Sequence, residues 1–217
     1  MDVYTIYPTY KHTETVIILH GMNQDYDEIS KICKNIKKSK RGIKFIMPVC
    51  KPINISWPDN EEQNSIAWYN YFSRYDNHMK HDIIDINQFN NKVTNICDLI
   101  VNESKIINSE KISLIGISQG GTVAISASLT IKLKINKIIC IDTIFLHSYF
   151  DYRYFTKNLP QNFIIFQSTN DTIYNPSFQD YTYNILKGYN HNVIKSNYDL
   201  THCEDMDTIQ KFIVSKL

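Results

Sequence analysis

Glycine, alanine and arginine are scarce in this chain. Its 217 residues hold six Gly, three Ala and three Arg. Charge of one sign is also missing: 23 Lys+Arg against 22 Asp+Glu leave a net charge of +1. That balance gives no basic footprint for nucleic acid and no strong pull toward an anionic membrane. No apolar run approaches the ~20 residues of a membrane span, so no stable membrane insertion is expected. The opening MDVYTIYPTYKHTE has no basic stretch followed by an apolar one, so no signal peptide is expected. Among the five cysteines, Cys33, Cys50, Cys97, Cys140 and Cys203, there is no C-x-x-C pair. They are scattered, odd in number and mostly beside apolar residues, as small buried thiols are. That excludes a disulfide framework or a zinc site and fits a reducing, cytoplasmic setting.

What is abundant is isoleucine (35), asparagine (22) and lysine (20). All three have AT-rich codons, which points to an AT-rich genome such as that of a large DNA virus or a protist. The same bias makes Asn and Lys tracts ordinary background. Apolar residues at 43 % and charged residues at 21 % are globular values, and the length suits one domain over 1–217.

Short β-branched runs alternate with helical patterns. Strands are expected at 16–19, 44–47 (stopped by Pro48), 112–115, 137–141, 163–166 and 193–194. Helices are expected at 26–37, 82–105, 119–128, 178–188 and 204–216. In the first helix Ile29, Ile32, Cys33 and Ile36 share a face. Continuously apolar strands alternating with amphipathic helices predict an α/β chain: a doubly wound, mostly parallel sheet with helices on both faces. Residues 48–81 show no period and carry Pro52, Pro58 and many aromatics. A connection of that length is expected to be a lid or a pocket-forming loop.

Three of the six glycines fall in Gly116-Ile117-Ser118-Gln119-Gly120-Gly121. This is G-x-S-x-G after a strand and opening a helix, the setting of a nucleophile elbow. Ser118 is then the candidate nucleophile, with Gly116 and Gly120 leaving room across a tight turn. A base and an orienting acid are expected on loops after later strands, in the order Ser, Asp, His. Of His147, His191 and His202, only His202 lies between the last strand and the last helix. Asp171, in the turn after the strand at 163–166, is best placed as the acid, with Asp142, Asp180 and Asp199 as other candidates. His20-Gly21-Met22 follows the strand at 16–19, where such folds supply one oxyanion-hole N–H; the residue after the nucleophile supplies the other. Those donors are Met22 and Gln119. Trp68 and Tyr69, with Tyr71, Phe72 and Tyr75, suit either the wall of an acyl pocket or ordinary core under a long loop.

The chain resembles the phospholipase/carboxylesterase family of α/β hydrolases, which includes acyl-protein thioesterases and lysophospholipases. VIILHG at 16–21, MPVCKP at 47–52, Ala67-Trp68-Tyr69-Asn70, GISQGG at 116–121, Asn170-Asp171 with Pro176, and His202 carry the resemblance. It implies an α/β-hydrolase fold with Ser118, Asp171 and His202 as catalytic triad. Met22 and Gln119 are the implied oxyanion donors, and no cofactor or metal is needed. The implied substrate is a carboxylic ester or thioester, from small molecules and lipids to lipidated proteins. Departures are visible too: Thr201 stands where the family usually has Gly, and the acid loop is one residue longer before Pro176. Two other readings of the same residues are a hydrolase of another bond, such as a peptidase, and a binding protein that kept the fold without catalysis.

Overall fold

The computed structural model describes residues 1–57, 61–73, 83–149 and 159–217. The strands are β1 (Asp2–Ile6), β2 (Glu14–Leu19), β3 (Ile43–Val49), β4 (Pro52–Ser56), β5 (Glu61–Ile66), β6 (Ile112–Ile117), β7 (Lys137–Ile141), β8 (Asn162–Ser168) and β9 (Asn192–Tyr198). The α-helices are α1 (Tyr26–Ser39), α2 (Ile86–Ser104), α3 (Gln119–Thr130), α4 (Pro176–Gly188) and α5 (Met206–Lys216). Among the described residues no helix is long and apolar enough to cross a membrane.

Seven strands form one sheet in the order β1-β3-β2-β6-β7-β8-β9. All neighbours run parallel except β1, which pairs antiparallel with β3. Side chains alternate between two core layers, as the pleat requires. Val16, Ile18, Ile115, Ile117, Ile139 and Ile141 pack with α1 and α5 on one face. Ile17, Leu19, Ile112, Leu114, Ile138 and Cys140 pack with α2 and α3 on the other. Both faces are covered, so these strands read as unbroken apolar runs.

The scarce small residues are concentrated where chains approach closely. Four of the nine Gly and Ala residues, Gly120, Gly121, Ala124 and Ala127, lie in α3. From Gln119 to Leu129 every residue of that helix is buried. A Cβ at Gly121 would lie 2.6 Å from the Thr143 side chain, so bulk there would push α3 off the sheet. The other helices are amphipathic and capped. Asp25 and Glu28 form a capping box at α1, while Asp85, Asn175 and Asp205 cap α2, α4 and α5.

Three expectations are corrected. β3 runs through Pro48 to Val49. The β2–β3 ladder ends at Ile17 opposite Ile46, so the missing Pro48 N–H falls beyond it. β1 escapes sequence reading because, as an edge strand, it leaves Val3 and Tyr4 exposed. The segment at 48–81 contains an antiparallel β4–β5 hairpin with an irregularity between Ile53 and Ile55. Its β5 sequence, EEQNSI, buries only Ser65 and so shows no period. Of the expected lid, residues 58–60 and 74–81, including Tyr75, lie outside the described residues.

Candidate active site

The carboxyl ends of β2, β6, β7 and β8 converge on one edge of the sheet. The strand order turns there, with β3 following to one side of β2 and β6 to the other. Open α/β sheets bind ligands at such a point. Ser118 follows β6 and opens α3 with φ 48 and ψ −118, a strained conformation for a residue with a side chain. The turn is held by Ser118 N–H donating to Ile141 O at 2.8 Å and by Thr143 Oγ1 donating to Ser118 O at 2.8 Å. Gly116 and Gly120 are required by contact. A Cβ at Gly116 would lie 2.5 Å from Gly121 Cα, and one at Gly120 would lie 2.4 Å from His20 O.

Ser118, His202 and Asp171 form a hydrogen-bonded line. Ser118 Oγ is 2.8 Å from His202 Nε2, and His202 Nδ1 is 2.7 Å from Asp171 Oδ2. The Asp171 carboxylate is buried and takes three further donors. Oδ1 accepts from Ile173 N–H and Tyr174 N–H, each at 2.8 Å, and Oδ2 accepts from Gln179 Nε2 at 2.9 Å. The Tyr174 ring meets the imidazole edge-on at 5.5 Å, and its hydroxyl is 2.9 Å from Tyr71 Oη.

The other candidate aspartates and His191 are engaged elsewhere. Asp180 pairs with Lys195, and Asp199 accepts from Asn170 Nδ2 at 2.7 Å. Asp142, fully buried, accepts from Ser168 and from Cys203 N–H. His191 precedes β9, at the opposite end of the parallel strands, and is buried beside Phe163. His147 lies in a short 3-10 turn at His147–Tyr149.

Gln119 follows the nucleophile directly as the first residue of α3, and Met22 lies in the loop after β2. Gly21 N–H donates to Gln24 Oε1 at 2.7 Å and Asn23 N–H donates to Ile66 O at 2.8 Å, fixing the loop on both sides of Met22. Gln119 is the first residue of α3, where helix N–H groups have no acceptor in their own helix. His20 holds the loop from below, with Nδ1–H donating to Gly21 O at 2.7 Å and Nε2 accepting from Cys50 N–H at 3.1 Å. Burial pushes its pKa down to about 4, so the ring is neutral.

Trp68 and Tyr69, expected to bind substrate, lie beneath the site. Both are 0 % exposed, and Trp68 lines a cavity together with Ile53, Asn87, Gln88 and Lys92. Trp68 N–H donates to Gln119 Oε1 at 2.8 Å, Gln119 Nε2 donates to Tyr69 O at 2.9 Å, and Trp68 Nε1–H donates to His20 O at 2.8 Å. The pair therefore fastens the Gln119 side chain and the His20 backbone, which is a supporting task. Sequence reading also missed Gln179 and Tyr174. No local pattern marks them, because they reach the site only through the fold of the acid loop.

Among the described residues one set of donor atoms, on Asp142, His202 and Cys203, lies within 4.8 Å. Hydrogen bonds already engage them, and burial together with the charges of Asp142 and Asp171 holds the Cys203 thiol well above its ordinary pKa. This is a closed polar cluster and no open ligand set.

Comparison with known proteins gives a consistent picture. The family model described as Phospholipase/Carboxylesterase matches residues 2–216. Acyl-protein thioesterase 1 of Cryptococcus neoformans var. neoformans serotype D is 26 % identical over 140 residues, 64 % of this chain and 57 % of that protein. The match thus spans little more than half of the curated relative's length. The crystal structure of Arabidopsis thaliana SOBER1 has a TM-score of 0.75 at 16 % identity, covering 93 % of this chain and 96 % of that one. Zea mays acyl-protein thioesterase 2 has a TM-score of 0.73 at 13 % identity, covering 99 % and 98 %. At these identities the structural likeness shows the fold, which is that of the α/β hydrolases.

Proposed function

Since the chain belongs to the phospholipase/carboxylesterase family, we propose that it is a serine hydrolase cleaving carboxylic esters or thioesters through an acyl-enzyme. The observation that carries this reading is the line Ser118 Oγ–His202 Nε2–Asp171, at 2.8 Å and 2.7 Å, on a strained elbow. Ser118 Oγ attacks the acyl carbonyl while His202 Nε2 takes its proton. Asp171 keeps the proton on Nδ1 and stabilises the imidazolium. The N–H groups of Met22 and Gln119 donate to the developing oxyanion; losing one such donor typically costs about 10²–10³ in rate. The imidazolium then protonates the leaving alcohol or thiol, and a water deprotonated by His202 releases the acid. The chain's own residues supply each of these steps.

The Cryptococcus relative is named for thioesters on acylated proteins, and we extend that substrate class to this chain alongside smaller acyl esters. We also take residues 1–217 as one catalytic domain working in a reducing cytoplasm, a setting supported by its five free cysteines. A fluorophosphonate probe tests the reading. Wild-type protein is expected to be labelled at Ser118, and the Ser118→Ala variant, equally folded, to be unlabelled. A folded wild type that resists the probe would make the chain a binding protein on a hydrolase scaffold. A panel of p-nitrophenyl esters and acyl-thioesters then ranks substrates.

A further inference from the structure

Asp142 follows β7 and is fully buried. Its φ of 41 lies in the left-handed region, which Asp tolerates better than most residues but which still costs energy. Its backbone N–H is fixed to Phe166 O at 3.0 Å. Three donors converge on its carboxylate. Ser168 N–H reaches Oδ1 at 2.7 Å, Ser168 Oγ reaches Oδ2 at 2.9 Å, and Cys203 N–H reaches Oδ2 at 2.9 Å. Ser168 ends β8, three residues before Asp171. Cys203 follows His202 directly and also has a left-handed φ, 51.

From this juxtaposition we propose that Asp142 is a positioning residue for the hydrolase: its carboxylate clamps the loop carrying His202 to the end of β8 and keeps the base aimed at Ser118. The proposal rests on the hydrolase reading above. The base loop has a second anchor, Leu200 O accepting from Asn170 N–H at 3.0 Å. The two anchors lie on either side of His202, so the imidazole is fixed from both directions. Oδ2 has two donors aimed at it, and an amide nitrogen in its place would set N–H against N–H. The carboxylate is therefore needed as an acceptor on both oxygens.

Because a backbone N–H donates to each of its oxygens, the clamp favours an ionised Asp142 carboxylate beside the base. The groups facing the imidazole are Ser118 from the elbow, Asp171 and the Tyr174 ring from the acid loop, Asp142 from the end of β7, and Cys203 beside it. The Cys203 thiol remains protonated, as its burial dictates. Glu204 is bound to Thr201, and Asp199 to Asn170. Burial raises the pKa of Asp142, while its hydrogen bonds and the nearby His202 favour its ionised form.

The test is the second-order rate constant for fluorophosphonate labelling of Ser118 between about pH 5 and 9, in wild type and Asp142→Asn. The variant is expected to lose up to about tenfold in its plateau rate. Its acid limb is expected to move down by about one pH unit, because removing a nearby negative charge favours the neutral imidazole. A lower plateau with an unmoved limb would reduce Asp142 to a structural residue and overturn the proposal, as would a wild-type profile. A wild type that is never labelled would instead overturn the hydrolase reading and this one with it. If Asp142→Asn does not fold, hydrogen exchange of the wild-type Cys203 amide decides. The clamp requires that amide to exchange far more slowly than exposed amides, and exchange at the exposed rate would overturn it.

Discussion

Aspartates 142, 171, 180 and 199 all follow Ser118 in the chain, and their hydrogen-bond partners separate them. Only Asp171 receives the imidazole Nδ1–H, and three more donors fix its two oxygens. In a serine hydrolase, removing the acid's charge leaves the base in the wrong tautomer, which costs about 10⁴ in kcat in the serine proteases. Asp171→Asn is therefore expected to lose about 10³–10⁴ in kcat, with Asp180→Asn and Asp199→Asn close to wild type. Steady-state rates on the best substrate of the ester panel check this, and the opposite ranking would move the acid elsewhere. Trp68 belongs to the same scale. Its full burial predicts that Trp68→Ala costs about 3–5 kcal/mol of stability. The acyl chain-length preference should stay as in wild type. A changed preference with an unchanged melting temperature would favour the pocket-wall reading.

At the scale of elements, the site depends on how closely β6, α3 and the loop after β2 approach one another. Gly120 sits where an added Cβ would meet two backbone carbonyls, His20 O at 2.4 Å and Leu19 O at 2.7 Å. Neither can swing aside as a side chain would, and His20 O also accepts the Trp68 indole N–H. Gly120→Ala is expected to cost about 1–3 kcal/mol by overpacking. It is also expected to slow probe labelling of Ser118, because the displaced strand end carries the Met22 loop. Thermal melts alongside labelling rates test both; a variant matching wild type in each would show that the turn has slack. The β4–β5 hairpin plays a related part, since Ile66 O accepts the Asn23 N–H beside Met22.

For the molecule as a whole, buried histidines set the response to acid. His20 is fully buried and its pKa is pushed down to about 4, whereas an unfolded chain protonates it near 6.5. Its share of stability is complete above about pH 6.5 and drains away as pH falls toward 4, by on the order of 3 kcal/mol. His191, also lowered by burial, acts in the same direction. Denaturant unfolding at about pH 7, 5.5 and 4.5 should show this decline. His20→Gln, less stable at neutral pH, should show a shallower one. An equally steep decline in that variant would place the acid sensitivity in other groups.

Local chemistry made much of this protein legible in its sequence. Unbroken Ile-rich runs announced strands buried on both faces, and the spacing of Gly116, Ser118 and Gly120 announced a turn too tight for side chains. His202 was legible as well, because its place between the last strand and the last helix follows from chain order. What chain order cannot supply is which groups point at one another. Asp142 and Asp171 follow adjacent parallel strands in similar positions. One faces the imidazole Nδ1 and the other the amide of the next residue, and only the packed loops distinguish them. Trp68 reads equally as pocket wall or core in the sequence, and only the fold shows it buried with its indole N–H on His20 O. The β5 strand has a polar sequence and owes its existence to β4 and to the contacts that dock it on the Met22 loop. Strand and helix periods are set by near neighbours in the chain; donor–acceptor pairing across loops is set by tertiary packing between segments tens of residues apart.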